Sequence, residues 1–135
     1  MAAPIVALAN AGDRSHHAVA AVLAEWPGDL VIPAPVTAEI DFLLGRRCGR
    51  LARLAFLDDL ARGRFGVASL DAAEHMEVRL LEERYAELDL GLADCSIIAL
   101  ARRLETRTVL SFDERHLRAV QPLQGGTFTL LPADA

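Results

Sequence analysis

The chain of 135 residues contains no lysine, only two cysteines and no apolar run of the roughly 18 residues that a membrane-spanning helix needs. Two cysteines, Cys48 and Cys95, cannot form the disulfide framework of a small secreted domain. Residues 1–10 also lack the basic start and the cleavage pattern of a secretory signal. These absences predict a cytoplasmic protein without a membrane segment.

The composition has few glycines and prolines, 9 and 6, and only 5% aromatic residues, whereas 53% of the residues are hydrophobic. These proportions exclude disordered and collagen-like chains and suit a single domain over residues 1–135. The 14 basic residues are all arginine, and 19 acidic residues give a net charge of -5. This acidity argues against non-specific coating of DNA by the whole surface, but it allows a local arginine-lined groove.

Hydrophobic periodicity predicts short strands that alternate with helices. Strands are predicted at 30–32, 65–68, 108–110 and 128–131. Helices are predicted at 16–26, from Thr37 to Gly45 or Gly49, and at 51–60, 72–85, 93–104 and 114–120. This order predicts a three-layer α/β fold, with a mostly parallel central sheet flanked by helices.

Three carboxylates fall near strand-to-helix junctions. Asp113 directly follows the strand at 108–110, Glu39 follows the strand at 30–32, and Asp94 lies at the start of the helix at 93–104. Ligands of open parallel sheets bind beyond the carboxyl ends of the strands. Clustered acids repel one another unless a cation neutralises them, and Mg²⁺ and Mn²⁺ prefer such oxygen ligands. Glu39, Asp94 and Asp113 are therefore the candidate catalytic and metal-binding residues.

Each acid also has a structural interpretation. Asp94 and Asp113 are suited to cap helix N-termini, and Glu39 is suited to the first turn of a helix, where the helix dipole favours an acid. The spacing by itself does not show that the three side chains converge. Both interpretations stay open on the residues alone.

The segments Pro33–Ile40, Leu88–Ser96 and Val109–Leu117 resemble the acidic motifs of PIN-domain ribonucleases. More narrowly, they are similar to the VapC-type toxins of bacterial type II toxin–antitoxin pairs. The order, spacing and apolar flanks of the motifs match over nearly the whole chain.

The resemblance implies a Mg²⁺- or Mn²⁺-dependent endoribonuclease that cleaves RNA phosphodiester bonds. Glu39, Asp94 and Asp113 fall on the metal-site acids of the family. The resemblance also implies a cognate antitoxin and a homodimer. The surface expected for these contacts is an apolar helical face with Ile40, Leu43, Leu44, Leu54 and Leu57.

The chain departs from the family pattern at its N-terminus. That pattern begins with a central strand that ends in an aspartate, and here Met1 occupies the aspartate position. By this mapping the first strand is missing, and the domain is truncated at its N-terminus. Two hypotheses follow: a working ribonuclease, or a catalytically impaired PIN-like domain that only binds antitoxin or RNA.

Several other residues have a functional interpretation beside a structural one. A basic run, Arg46, Arg47, Arg50 and Arg53, is either a solvated face or a phosphate-binding surface, and Arg115 and Arg118 are further candidates. His116 is near Asp113, but the sequence gives no mechanism for it. Cys95 is expected to be a small buried thiol.

Overall fold

The computed structural model describes residues 1–135. Seven helices and four strands follow one another along the chain as α1 (Ala2–Ala9), α2 (His16–Glu25), β1 (Val31–Pro33), α3 (Ala34–Arg47), α4 (Arg50–Ala61), β2 (Gly66–Ala68), α5 (Ala72–Arg84), α6 (Gly91–Arg103), β3 (Thr108–Leu110), α7 (Glu114–Ala119) and β4 (Thr129–Leu131). A short 3₁₀ helix at Ala86–Leu88 precedes α6.

The strands are parallel, as predicted, but they form two separate pairs. β1 pairs with β2, with Val31 opposite Gly66, and β3 pairs with β4, with Thr108 opposite Thr129. No strand lies between β1 and β3. The predicted central sheet is therefore divided into two half-sheets, each with one unpaired inner edge.

Helix α6 lies at the centre of the fold. Seven consecutive residues, 95–101, are buried. A helix that is buried on every face has neighbours on all sides. Its neighbours include α3, α5, β1 and β3. This burial fixes the position of the first turn of α6, which carries Asp94.

Helix α3 begins three residues before the predicted start. Pro33 is its N-cap residue and Pro35 lies in its first turn. Proline is tolerated there because the first-turn N–H groups have no acceptor within the helix. The segment between the predicted strand at 30–32 and the predicted helix start at Thr37 contains both prolines, and in the structure the strand and the helix follow one another directly there. Helix α5 begins as predicted, with a capping box between Asp71 and Glu74.

The apolar face predicted for partner contacts is only partly exposed. Ile40 and Leu44 belong to the core, with relative exposures of 0% and 1%, so their assignment to the surface was wrong. Leu54 and Leu57 are exposed, together with Phe42 and Leu51. No helix combines the length and the apolarity that crossing a bilayer requires.

Candidate metal centre

Two of the three predicted acids meet at the carboxyl end of β3. Asp94 projects from the first turn of α6, and Asp113 follows β3 by three residues. Each of Asp94, Asp113 and His116 offers one ligand atom to a group in which all the atoms lie within 4.8 Å of one another. The core position of α6 brings together two acids that are 19 residues apart in sequence.

Asp113 and His116 form the tightest contact of this group. The Nδ1 atom of His116 lies 2.8 Å from Oδ2 of Asp113 and 3.9 Å from Oδ2 of Asp94. The backbone N–H of His116 also donates to Oδ1 of Asp113, at 3.1 Å. Sequence reasoning left His116 without a role. The signal was its i, i+3 spacing from Asp113, which places the two side chains on one face of α7.

The capping interpretation is correct for Asp113 and wrong for Asp94. Asp113 is the N-cap residue of α7, whereas the N-cap position of α6 is Leu90 and has no side-chain cap. The carboxylate of Asp94 therefore caps no helix. Burial, followed by repulsion from Asp113, raises the pKa of Asp94 above its usual value.

Glu39 lies near this group but outside it. Helix α3 begins at Ala34, so Glu39 is in the second turn and is not a first-turn acid. Its side chain is exposed. Its charge nevertheless adds to the forces that raise the pKa of Asp94, after those of burial and Asp113. Glu39, on α3, thus lies close enough for its charge to act on Asp94.

The α-amino group of Met1 is buried beside the acids. It donates to Oγ of Ser111 at 3.5 Å, and the same Oγ accepts the backbone N–H of Asp113 at 3.0 Å. Burial lowers the pKa of the amino group, against the opposing attraction of Asp94, Glu39 and Asp113. Ser111 thus fixes the backbone at Asp113, and the amino nitrogen of Met1 lies within the field of all three acids.

The donor set fits a hard divalent cation. Asp94 and Asp113 provide oxygens on two rigid elements, and Glu39 provides a third carboxylate nearby. The repulsion that raises the pKa of Asp94 is the interaction that a bound cation would relieve. Mg²⁺ and Mn²⁺ suit carboxylate oxygens, and Mn²⁺ also accepts imidazole nitrogen.

Several of the candidate phosphate-binding arginines are already engaged. Arg118 pairs with Glu114 and Asp134, and Arg53 pairs with Asp41. The guanidinium of Arg46 lies 5.7 Å from the ring centre of Phe42. Arg47, Arg50 and Arg115 make no ion pair and no side-chain hydrogen bond, and all three are exposed. Of these, Arg115 lies nearest in sequence to Asp113.

Cys95 lies beside the centre but has the properties of a structural residue. It is fully buried and donates its S–H to Oε1 of Glu82 at 3.4 Å. Burial first, and then the Glu82 contact, raise its pKa to about 12. The same Glu82 oxygen accepts the backbone N–H of Gly91 at the start of α6. The predicted buried thiol is confirmed.

We therefore expect iodoacetamide at pH 7.5 to modify Cys48 and to spare Cys95. Only the thiolate reacts, and Cys48 is the partly exposed cysteine. Peptide mass spectrometry should find one modified site in the native protein and two after denaturation in guanidinium. Equal rates of modification at both cysteines in the native protein would contradict the burial of Cys95.

The comparisons with known proteins agree on one family. The PIN domain family matches residues 4–121. The chain is 36% identical over 128 residues to Ribonuclease VapC26 of Mycobacterium tuberculosis (strain ATCC 25618 / H37Rv), covering 95% of both proteins. Among solved structures, it resembles VapC20, a sarcin–ricin loop cleaving toxin of M. tuberculosis. The TM-score is 0.76 and the identity 25%, over 84% of this chain and 87% of VapC20.

Proposed function

The chain belongs to the PIN-domain family, as a VapC-type ribonuclease toxin, and from this premise we propose that it cleaves RNA at a Mg²⁺ or Mn²⁺ site formed by Glu39, Asp94 and Asp113. The observation that carries the proposal is the meeting of Asp94 and Asp113 with His116 within 4.8 Å. Asp94 supports it further, because this acid caps no helix. A divalent ion bound there would activate water and stabilise the charge of the phosphate.

The residues of the chain have separate roles in this proposal. Asp94 and Asp113 hold the cation, and Glu39 contributes a third carboxylate from α3, the helix that follows β1. His116 holds the Asp113 carboxylate in one orientation through the 2.8 Å contact at Nδ1. Arg115 is exposed and unpaired beside Asp113, and its guanidinium suits a phosphate of the RNA backbone.

The experiment measures cleavage of a labelled RNA with Mg²⁺, with Mn²⁺ and with EDTA. It compares the chain with a Met1→Asp variant and a matched Met1→Asn variant, each placed behind a new initiator methionine. The mapping of Met1 onto the aspartate of the family predicts that Met1→Asp binds Mg²⁺ about tenfold more tightly, from one added charged ligand. Calorimetric titration measures this binding.

The asparagine variant controls for the loss of the partly buried methionine side chain and for the displaced amino group. Equal Mg²⁺ affinity of the two variants would contradict the mapping of Met1. Cleavage that persists in EDTA would contradict the metal-dependent mechanism as a whole.

A second candidate function is binding without catalysis. The observation that favours it is the residue at the position of the family's first aspartate, where the methionine side chain of Met1 offers no carboxylate to a cation. In this case the chain binds RNA or antitoxin but does not cleave RNA. The Met1→Asp variant should then cleave RNA where the parent chain does not.

We also propose that a cognate antitoxin and a second copy of the chain bind the exposed apolar surface of α3 and α4. Phe42 is 55% exposed and Leu51 is 82% exposed, together with Leu54 and Leu57. Exposed apolar residues clustered on neighbouring helices are typical of interfaces, and two-fold dimers are the commonest assembly.

For the second copy, we expect a Leu51→Glu variant to shift the protein from dimer to monomer in light scattering. A Leu80→Glu variant is the matched control, because Leu80 is 55% exposed on α5, away from this surface. Identical masses for the parent and both variants across a concentration series would contradict an interface at Leu51.

A further inference from the structure

A side chain on α5 reaches the start of α6. Glu82 is half-buried, and its Oε1 accepts the backbone N–H of Gly91 at 2.6 Å and the S–H of Cys95 at 3.4 Å. The first N–H groups of a helix have no acceptor within the helix, and Leu90, the N-cap residue of α6, provides no side-chain bond. Glu82 therefore supplies, from another helix, a bond that the start of α6 lacks.

The backbone that enters α6 has an uncommon conformation. Asp89 has a φ of 50° and Gly91 has a φ of 79°, so two of three consecutive residues are left-handed. A residue with a Cβ adopts this region at a cost, although aspartate tolerates it better than most. Glycine suits position 91 for its positive φ alone, since an added Cβ would meet no atom within 4 Å. The bond from Glu82 to Gly91 ties this turn to α5.

Asp94 lies between the two residues that Glu82 holds. Gly91 is three residues before it and Cys95 directly follows it. The Asp94 carboxylate makes no hydrogen bond, and Nδ1 of His116 lies 3.9 Å away. The direction of the carboxylate therefore follows from the backbone of the first turn of α6.

The charge of Glu82 is not what acts on Asp94. Burial shifts the pKa of Asp94 most, and the charges that also shift it are those of Asp113, the α-amino group, His116 and Glu39. Glu82 is not among them. The connection between the two acids is thus the backbone of α6.

We propose that Glu82 is a positioning residue of the metal site, which fixes the first turn of α6 and thereby the direction of the Asp94 carboxylate. This role rests on the proposed function, in which Asp94 binds Mg²⁺ or Mn²⁺. A metal ligand must be held within about 0.5 Å of its productive position, and the groups that hold ligands in place typically account for about 10–100-fold in metal affinity. Loss of the Glu82 contacts therefore weakens metal binding while the ligands themselves remain.

The test is calorimetric titration of Mn²⁺ into the unmodified chain and its variants, at a temperature where circular dichroism shows each to be folded. Glu82→Ala removes the acceptor and should bind Mn²⁺ about tenfold more weakly. Glu82→Gln keeps an oxygen that accepts the N–H of Gly91, so its affinity should stay close to that of the parent. Glu83→Ala is the matched control, because Glu83 is the exposed neighbour on α5 and pairs with Arg79.

A purely structural role gives a different result. Glu82→Ala would then melt at a lower temperature but bind Mn²⁺ as the parent does, which overturns the proposal. A Glu82→Gln variant as weak as Glu82→Ala also overturns it. A positioning residue acts only through its ligand, so adding Glu82→Ala to Asp94→Asn should weaken Mn²⁺ binding no further, and a second additive loss overturns the proposal.

The proposed metal site fails in a separate way. Asp94→Asn with the Mn²⁺ affinity of the parent, or no saturable Mn²⁺ binding by the unmodified chain, contradicts the site itself and with it the role of Glu82. One measurement needs no metal. Hydrogen exchange at the amide of Gly91 should be faster in Glu82→Ala and near that of the parent in Glu82→Gln, and unchanged exchange in Glu82→Ala overturns the proposal.

Discussion

An Asp94→Asn substitution is expected to reduce RNA cleavage by about 100-fold or more in the Met1→Asp background, since the bound ion supplies several kcal/mol of stabilisation to the reaction. Asn keeps the size of the side chain but removes the charge that holds the cation. Asp94 is not the cap of α6, so the fold does not depend on its carboxylate. Cleavage of labelled RNA with Mg²⁺, beside circular dichroism of the same sample, measures both properties.

The same substitution is expected to stabilise the original chain at pH 7. Burial and repulsion by Asp113 raise the pKa of Asp94 in the folded state, so the native chain holds its proton to higher pH than the unfolded chain does. The free energy of unfolding therefore falls as the pH rises from the pKa of Asp94 in the unfolded chain to its pKa in the folded chain. Above the folded pKa, the cost of holding the charged carboxylate in the fold is complete. The asparagine variant does not have this cost. The melting temperature of the variant should be a few degrees higher than that of the parent chain at pH 7, and the difference should shrink towards pH 3.

Asp41→Asn is the matched control for both measurements. Asp41 lies on α3, two residues from Glu39, and pairs with Arg53 at the surface. Its replacement should leave cleavage unchanged and alter stability by no more than about 0.5 kcal/mol. Full cleavage by a folded Asp94→Asn variant would remove Asp94 from the metal site.

The order of helices and strands was predictable because each element has its own local signal. The capping box at Asp71 and the apolar strand at Thr108–Leu110 depend on residues adjacent in sequence. The start of α3 was misjudged because proline breaks most helices, yet Pro33 fits the N-cap position and Pro35 fits the first turn. The first residue of a helix depends on the backbone conformation of the residues before it, and hydrophobic periodicity does not indicate that conformation.

The site was predictable in its residue types more than in its geometry. The position of Asp94 and Asp113 near strand-to-helix junctions pointed to one edge of the sheet, and the structure brings these two together. The role of Ser111 depends on a single contact at 3.0 Å that no spacing rule supplies, whereas the 2.8 Å contact of His116 with Asp113 follows from their i, i+3 spacing. The division of the sheet is also non-local, because strand pairing joins residues more than 20 positions apart.

An Ile98→Ala substitution is expected to cost about 3 kcal/mol of unfolding free energy, the middle of the range for a large aliphatic residue removed from a packed core. Ile98 has a relative exposure of 0% and lies at the middle of α6. Domains of this kind are stable by about 5–15 kcal/mol, so the variant should still fold at 25 °C. Urea unfolding should show a lower midpoint with an unchanged slope.

The matched control for Ile98→Ala is Leu92→Ala, on the same helix but with Leu92 48% exposed. It should cost no more than about 0.5 kcal/mol, because little apolar area leaves the core. Helix α6 also positions Asp94, so comparing the two variants distinguishes an effect on core packing from an effect on RNA cleavage. The cleavage rate per folded molecule should stay near that of the parent in both, while the Ile98 variant loses activity at lower temperature on heating. A loss below about 1 kcal/mol for Ile98→Ala would mean that α6 is not the packed centre of the fold.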